Sequence, residues 1–236
     1  MNKRLAIVPA RGGSKRIPNK NVREFCGKPM IAYILNAARA SGLFDVIHVS
    51  TDSQAIRAVI AGLGFEPDFP RPDELADDHT PIMPVLKYVA GEYARRGRTF
   101  TQVWLLMACS PLIDSKDLVE AEKLFIQAGG HEPLLAISEY QAPIEWAFCR
   151  QEDGRLKPVQ PGMFTVRSQD LEKKYFDAGT FVAYPADLVL GAEGAGSDTG
   201  FIGKILPKYK AIDIDTPEDW ALAEAVYRGM RQSVEP

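Results

Sequence analysis

The chain has 236 residues, 46% of them hydrophobic and 25% charged, with a net charge of −3. That apolar content excludes a disordered chain, and no run approaches the ~18 consecutive apolar residues of a membrane span. Three scattered cysteines without a CxxC pair argue against a disulfide framework or structural zinc site, and for a reducing, cytoplasmic setting.

Residues 5–9 form an apolar run that reads as a buried strand, too short before Pro9 and Arg11 for a secretory signal. A polar loop, 10–21, opens from it. Pro29 stands where a first helical turn would begin, Met30, Ile34, Leu35 and Ala38 follow at helical spacing, and Gly42 stops them. A second strand at 46–50 ends in Thr51-Asp52-Ser53, a cluster suited to capping a helix over 54–63. A third short strand is expected at 65–69. A polar loop at 70–78, a helix over 81–96, the most apolar strand at 103–108 and a helix over 115–128 follow. This alternation predicts an α/β fold with a mostly parallel sheet flanked by helices. After a strand at 134–138 the pattern changes. Residues 139–170, rich in aromatics, prolines and turn signals, read as an inserted hairpin region. Strand character returns at 181–184 and 205–214, around a glycine-rich loop at 191–203. Thr216, Pro217 and Asp219 then mark the N-cap, first and third positions of a final helix. With no linker or repeat, residues 1–236 are expected to form a single domain with one elaboration.

Charge is unevenly spread. Residues 1–28 carry eight basic residues against Glu24 alone, and the remainder carries an acidic excess of ten. The cationic stretch is a glycine-containing loop directly after a buried strand, at the carboxyl end where parallel sheets bind ligands. That placement suits a small, highly charged anion better than a nucleic acid. Gly12 and Gly13 would let the backbone approach a ligand and turn successive N–H groups inward, with Arg11, Lys15 and Lys20 supplying charge. The loop is neither GxxxxGK[ST] nor GxGxxG. On composition, a phosphate cradle and a solvated surface loop stay equally open.

As a string, residues 5–21 (Leu-Ala-Ile-Val-Pro-Ala-Arg-Gly-Gly-Ser-Lys-Arg-Ile-Pro-Asn-Lys-Asn) resemble the opening motif of the CMP-nonulosonic acid synthetases, cytidylyltransferases that activate sialic-type sugars. Further matches follow in order at 27–31, 49–52, 71–78 (Arg-Pro-Asp-Glu-Leu-Ala-Asp-Asp), 110–112 and 213–219 (Asp-Ile-Asp-Thr-Pro-Glu-Asp). Within that family, Arg167-Ser168-Gln169-Asp170-Leu171 followed by Tyr175-Phe176-Asp177-Ala178-Gly179 is similar to the pseudaminic acid cytidylyltransferase branch. The resemblance implies a Rossmann-like nucleotidyltransferase fold with a dimerisation insertion near 139–170. It implies CTP and a nine-carbon acid sugar as substrates, a CMP-sugar and pyrophosphate as products, Mg²⁺ or Mn²⁺ as cofactor, and a cytoplasmic homodimer engaging neither nucleic acid nor membrane. The nucleotide would bind at Ala10, Arg11, Gly12, Gly13, Ser14, Lys20, Asn21 and Arg71. Arg11, Lys20, Asp213 and Asp215 would form the catalytic set, with Asp213 and Asp215 as metal ligands. Pseudaminic acid is the first sugar expected. N-acetylneuraminic, legionaminic and 3-deoxy-manno-octulosonic acids are the alternatives, as is a catalytically silent nucleotide-binding regulator.

Residue chemistry agrees in part. Asp213 and Asp215 alternate with Ile212 and Ile214 at the end of an expected strand, where period 2 puts both carboxylates on one face, able to share a hard cation. Asp215 as a helix cap is the plainer alternative, and Asp219 is left to capping. Arg71, mounted between two prolines, either addresses the nucleotide or pairs with Asp73 or Glu74. Arg167, Gln169 and Asp177 are expected to contact the sugar, a guanidinium matching its carboxylate; a solvated hairpin is equally open for Arg167 and Gln169. Met107-Ala108-Cys109 and Thr180-Phe181-Val182-Ala183 depart from the family's usual residues, so no sugar contact is carried over there. Cys109 reads as core, and no nucleophile elbow exists. Covalent catalysis is not expected.

Overall fold

The computed structural model describes residues 3–232. In chain order the elements are β1 (Arg4–Pro9), β2 (Glu24–Phe25), β3 (Lys28–Pro29), α1 (Ile31–Ser41), β4 (Val46–Ser50), α2 (Gln54–Gly62), α3 (Ile82–Arg95), β5 (Gln102–Leu106), α4 (Ser115–Gln127), β6 (Leu134–Glu139), β7 (Phe148–Arg150), β8 (Leu156–Pro158), β9 (Tyr175–Pro185), α5 (Ala186–Gly191), β10 (Ile202–Ile205) and α6 (Pro217–Gln232). Six strands form one sheet in the order β10-β6-β9-β5-β1-β4. β9 alone runs antiparallel to its neighbours, so the sheet is mostly parallel, as expected.

Alternation along the central strands divides the core into two layers. Ala6 and Val8 of β1, with Trp104 and Leu106 of β5, face a cluster built by α1, α2 and α4, including Ile34, Ile60 and Phe125. Leu5, Ile7, Val103 and Leu105 face the opposite way, onto Leu86 and Val89 of α3 and Val189 of α5. Each such fully buried aliphatic side chain contributes about 1.5–3 kcal/mol, so the sheet centre is the rigid part of the fold. Helix ends follow local chemistry. Gly42 closes α1 at φ 64°, Ser53 Oγ accepts from the Ile56 N–H at the start of α2, and Asp114 and Asp117 form a reciprocal capping box on α4.

Three expectations are corrected. Residues 65–69 form no strand: Phe65 N–H returns to Ile60 O to close α2, and Phe69 packs on His48 and Tyr93 without joining the ladder. The strand expected at 205–214 instead occupies Ile202–Ile205. Leu206 N–H makes the next bond to Ile137 O, and Pro207, which has no N–H, starts a tight turn at Lys208–Lys210. The strand expected at 181–184 is longer, Tyr175–Pro185, and crosses the middle of the sheet. Between β6 and β9 the chain leaves the sheet for an excursion holding the β7–β8 hairpin and three single-turn helices. No described helix is long and apolar enough to cross a membrane.

Candidate active site

The loop after β1 leaves the sheet at its carboxyl end and lines a cleft of about 510 Å³. Arg11, Ser14, Lys15, Arg16, Lys20 and Asn21 come from this loop; Arg71, Asp77 and Asp78 come from the 70–78 segment, and Asp215 from the stretch before α6. Leu75, Ile82, Val85 and Met107 make an apolar wall beside the charges.

Most of the loop residues are held by particular contacts. Ala10 N–H donates to Ser50 O at 2.9 Å, continuing the β1–β4 ladder. A side chain at Gly12 would meet Ser53 Cβ at 3.1 Å, so the close pass of β1's loop over the start of α2 favours glycine. The expectation that Gly12 and Gly13 both turn N–H groups inward is corrected at Gly12, whose N–H donates to Asp52 Oδ1 at 3.1 Å; Gly13 faces open space. Asn19 takes φ 54°, a left-handed turn that asparagine tolerates, and Lys20 follows it. Lys20 Nζ then donates to Ile214 O at 2.6 Å and to Asp215 Oδ1 at 3.1 Å. Arg16 pairs with Asp215 Oδ2 at 2.9 Å. Asn21 is buried; its Nδ2 donates to Arg11 O at 3.1 Å and its Oδ1 accepts from Cys109 Sγ at 3.3 Å. Asn21 therefore braces the loop.

Arg71 is only 6% exposed and pairs with neither Asp73 nor Glu74. Its Nε donates to Ser50 Oγ at 3.1 Å and its Nη2 to Ser50 O at 2.8 Å. Burial lowers its guanidinium to about 10, Asp52 counteracts, and Arg11 adds to the lowering. Arg11 Nη1 donates to Asp77 O at 2.9 Å and to Asp78 Oδ1 at 2.5 Å, and Lys15 pairs with Asp78 Oδ2.

The 211–215 stretch is irregular backbone, so period-2 alternation is not what brings Asp213 and Asp215 together. Their neighbourhood is set by anchors at each end. Upstream, buried Lys210 pairs with Asp117 at 2.6 Å and Asp114 at 2.9 Å. Downstream, Asp219 Oδ2 accepts from Thr216 N–H at 2.7 Å and Asp219 N–H donates to Thr216 Oγ1, the expected capping box, so Asp215 is not the cap. Asp213 makes no hydrogen bond or ion pair among the described residues, and a Cβ at Gly179 of β9 would lie 3.5 Å from its carboxyl carbon. Partial desolvation, then the Asp215 charge, raise its carboxyl above the usual range. An unpaired carboxylate beside a second one offers hard oxygen donors of the type a divalent cation takes, though no cluster of three or more ligating side chains occurs among the described residues. Asp213 does not line the cleft, though Asp215, two residues on, does.

The sugar-directed residues separate from this group. Arg167 and Gln169 are exposed on the excursion, where Gln169 lines a second cavity of about 310 Å³ with Glu139, Tyr140 and Lys173. Neither lines the cleft. Asp177 Oδ1 accepts from Gly179 N–H at 2.8 Å and so shapes the corner that abuts Asp213. Arg16, Asp77 and Asp78 were not expected at the site; the block at 71–78 carried the signal for the last two.

A cationic loop after the first strand, facing a carboxylate stretch before the last helix across a mostly parallel sheet, defines a nucleotidyltransferase. The fold matches the structure of CMP:2-keto-3-deoxy-manno-octonic acid synthetase complexed with CTP, at a TM-score of 0.69 and 18% identity over 99% of this chain and 100% of that one. The chain belongs to the cytidylyltransferase family, whose profile matches residues 5–122. It is 35% identical to a pseudaminic acid cytidylyltransferase of Campylobacter jejuni, over 98% of this chain and 99% of that one. It is 30% identical to a CMP-N,N'-diacetyllegionaminic acid synthase of Legionella pneumophila, over 93% and 94%.

Proposed function

We propose that this enzyme transfers the cytidylyl group of CTP to the anomeric hydroxyl of a nonulosonic acid, pseudaminic acid first, with release of pyrophosphate. The observation that carries this is the meeting of Arg11, Lys15, Lys20 and Arg71 with Asp215 around one cleft, with Asp213 within reach of the charges of Asp215 and Lys20. The choice of sugar rests on the 35% identical relative and on the 167–179 motif.

The attack is an in-line displacement at the α-phosphorus. Negative charge on the phosphate oxygens is what the protein must meet, so its work is positioning and electrostatic stabilisation. Arg11, Lys15 and Lys20 present donors to the β,γ end. Arg71, held against Ser50 and in no direct ion pair, presents its guanidinium to the nucleotide. Asp213 and Asp215 would hold Mg²⁺ or Mn²⁺, which would supply Lewis acidity and offset negative charge at the phosphates. Displacing Arg16 and Lys20 from Asp215 frees those cations for the triphosphate.

We assign the excursion to a homodimer interface, because it exposes Phe148, Leu156, Val159 and Phe164 together. Arg167 and Gln169, which do not line the cleft, would then serve sugar binding only in that assembly. The three free cysteines suit the cytoplasm, where CTP is available. The test is pyrophosphate release with CTP and Mg²⁺ across pseudaminic, legionaminic, N-acetylneuraminic and 3-deoxy-manno-octulosonic acids. The expected result is the highest kcat/KM with pseudaminic acid. Equal or reversed preference contradicts the sugar assignment and leaves the family standing.

A further inference from the structure

All four cations of the 10–21 loop are already held by carboxylates of this chain. Asp215 holds Arg16 and Lys20, and Asp78 holds Arg11 and Lys15. Asp215 belongs to the carboxylate pair with Asp213; Asp78 has no such role. The turn does not need Asp78 for its geometry, because Asp77 Oδ1 caps it through the His79 N–H at 2.8 Å and the Thr80 N–H at 2.6 Å. Both oxygens of Asp78 are spent on the cleft's cations, Oδ1 on Arg11 and Oδ2 on Lys15. Two acceptor oxygens bridging a guanidinium and an ammonium is the contact a terminal phosphate would make with the same groups. The carboxylate is held loosely enough to leave. Its side chain is 33% exposed, and the Lys15 side chain is 80% exposed.

We infer that Asp78 is a specificity-determining residue: an internal anion that occupies the Arg11–Lys15 subsite and yields it to the β,γ end of a triphosphate or to pyrophosphate. The inference rests on the cytidylyltransferase reading of the cleft. A nucleoside monophosphate has no group to place in that subsite, so it gains nothing by displacing Asp78. The residue therefore holds down affinity for the pyrophosphate product and re-pairs with its cations when pyrophosphate departs. In chemical terms Asp78 trades ground-state affinity for product release. Exposed pairs of this kind are each worth a factor of about two to five, which bounds the effect.

The experiment is titration calorimetry of the full chain, wild type and Asp78→Asn, with CTP, pyrophosphate and CMP separately at one fixed Mg²⁺ concentration. Asp78→Ser is run alongside, with thermal melts as folding control. Both variants should tighten CTP and pyrophosphate about five- to twentyfold and leave CMP within about twofold of wild type. Inhibition of turnover by pyrophosphate should strengthen in parallel. Unchanged or weaker CTP and pyrophosphate binding, or an equal gain for CMP, overturns the inference while the family reading stands. A wild-type chain that binds neither CTP nor pyrophosphate overturns both.

Discussion

A buried guanidinium that makes no direct ion pair is costly unless an anion arrives, and Arg71, with Asp52 acting on it only through charge, is in that position. Its value could be weighed from sequence only as a choice between nucleotide contact and surface pairing, because exposure is a tertiary property. The two prolines around it were visible; Ser50, which anchors it, lies 21 residues away. Arg11 is easier to test. Arg11→Ala should lower kcat by about 10²–10³, the scale for one preorganised electrostatic donor. Near-normal turnover would mean that the loop does not meet the developing charge. His48 gives a pH-dependent prediction. It is buried, its Nδ1 lies 3.1 Å from the Tyr93 hydroxyl, and burial lowers its imidazole from 6.5 to about 4, Asp68 opposing. The unfolded chain thus binds a proton between pH 6.5 and 4 that the folded chain refuses. Stability is full above pH 6.5 and falls as pH drops toward 4, by about 3 kcal/mol in all. Urea unfolding across that window should show the slope in wild type and a flatter line in His48→Leu; equal slopes would remove His48 from the account.

At the scale of elements, the 211–215 stretch separates what sequence pattern reveals from what it hides. Asp213 and Asp215 were identifiable through the motif at 213–219, but the strand periodicity offered for them was the wrong cause. Alternating Ile and Asp mimics a half-buried strand, while Pro207 and the turn at Lys208–Lys210 have already taken the chain off the sheet. Lys210 replaces the missing ladder as an anchor. Lys210→Met should cost about 3–5 kcal/mol in urea unfolding, since it leaves Asp117 buried without its cation, and adding Asp117→Asn, which removes that charge and keeps an acceptor for the Asp114 N–H, should recover much of that loss. No recovery would show that the anchor works by packing. Asp213→Asn, nearly isosteric, should abolish most turnover and weaken its Mg²⁺ dependence with an unchanged melting curve. The central strands β1 and β5 were legible because both their faces are buried and they read as apolar runs, whereas the half-exposed edge strand β10 was not. β9 was legible only in its apolar second half, because Asp177 and Gly179 interrupt the pattern where the strand passes the site.

On the scale of the molecule, the sheet is a fixed platform and the cleft is made by what leaves its carboxyl ends. The excursion between β6 and β9 adds no strand to that platform. Leu156 and Phe164 are 60% and 62% exposed, which fits burial against a second copy. Light scattering at micromolar concentration should return a dimer mass, and Phe164→Glu with Leu156→Glu should shift it toward monomer. A wild-type monomer would contradict the assignment. The central claim is that the cationic loop and the 213–215 carboxylates together form a cytidylyl-transfer site, and its most direct measurement is pyrophosphate release from CTP. With Mg²⁺ and pseudaminic acid, the wild-type chain should release one pyrophosphate per CMP-sugar formed, and folded Asp213→Asn should release almost none. Folded wild-type protein that releases no pyrophosphate, or Asp213→Asn that matches it, would contradict the account.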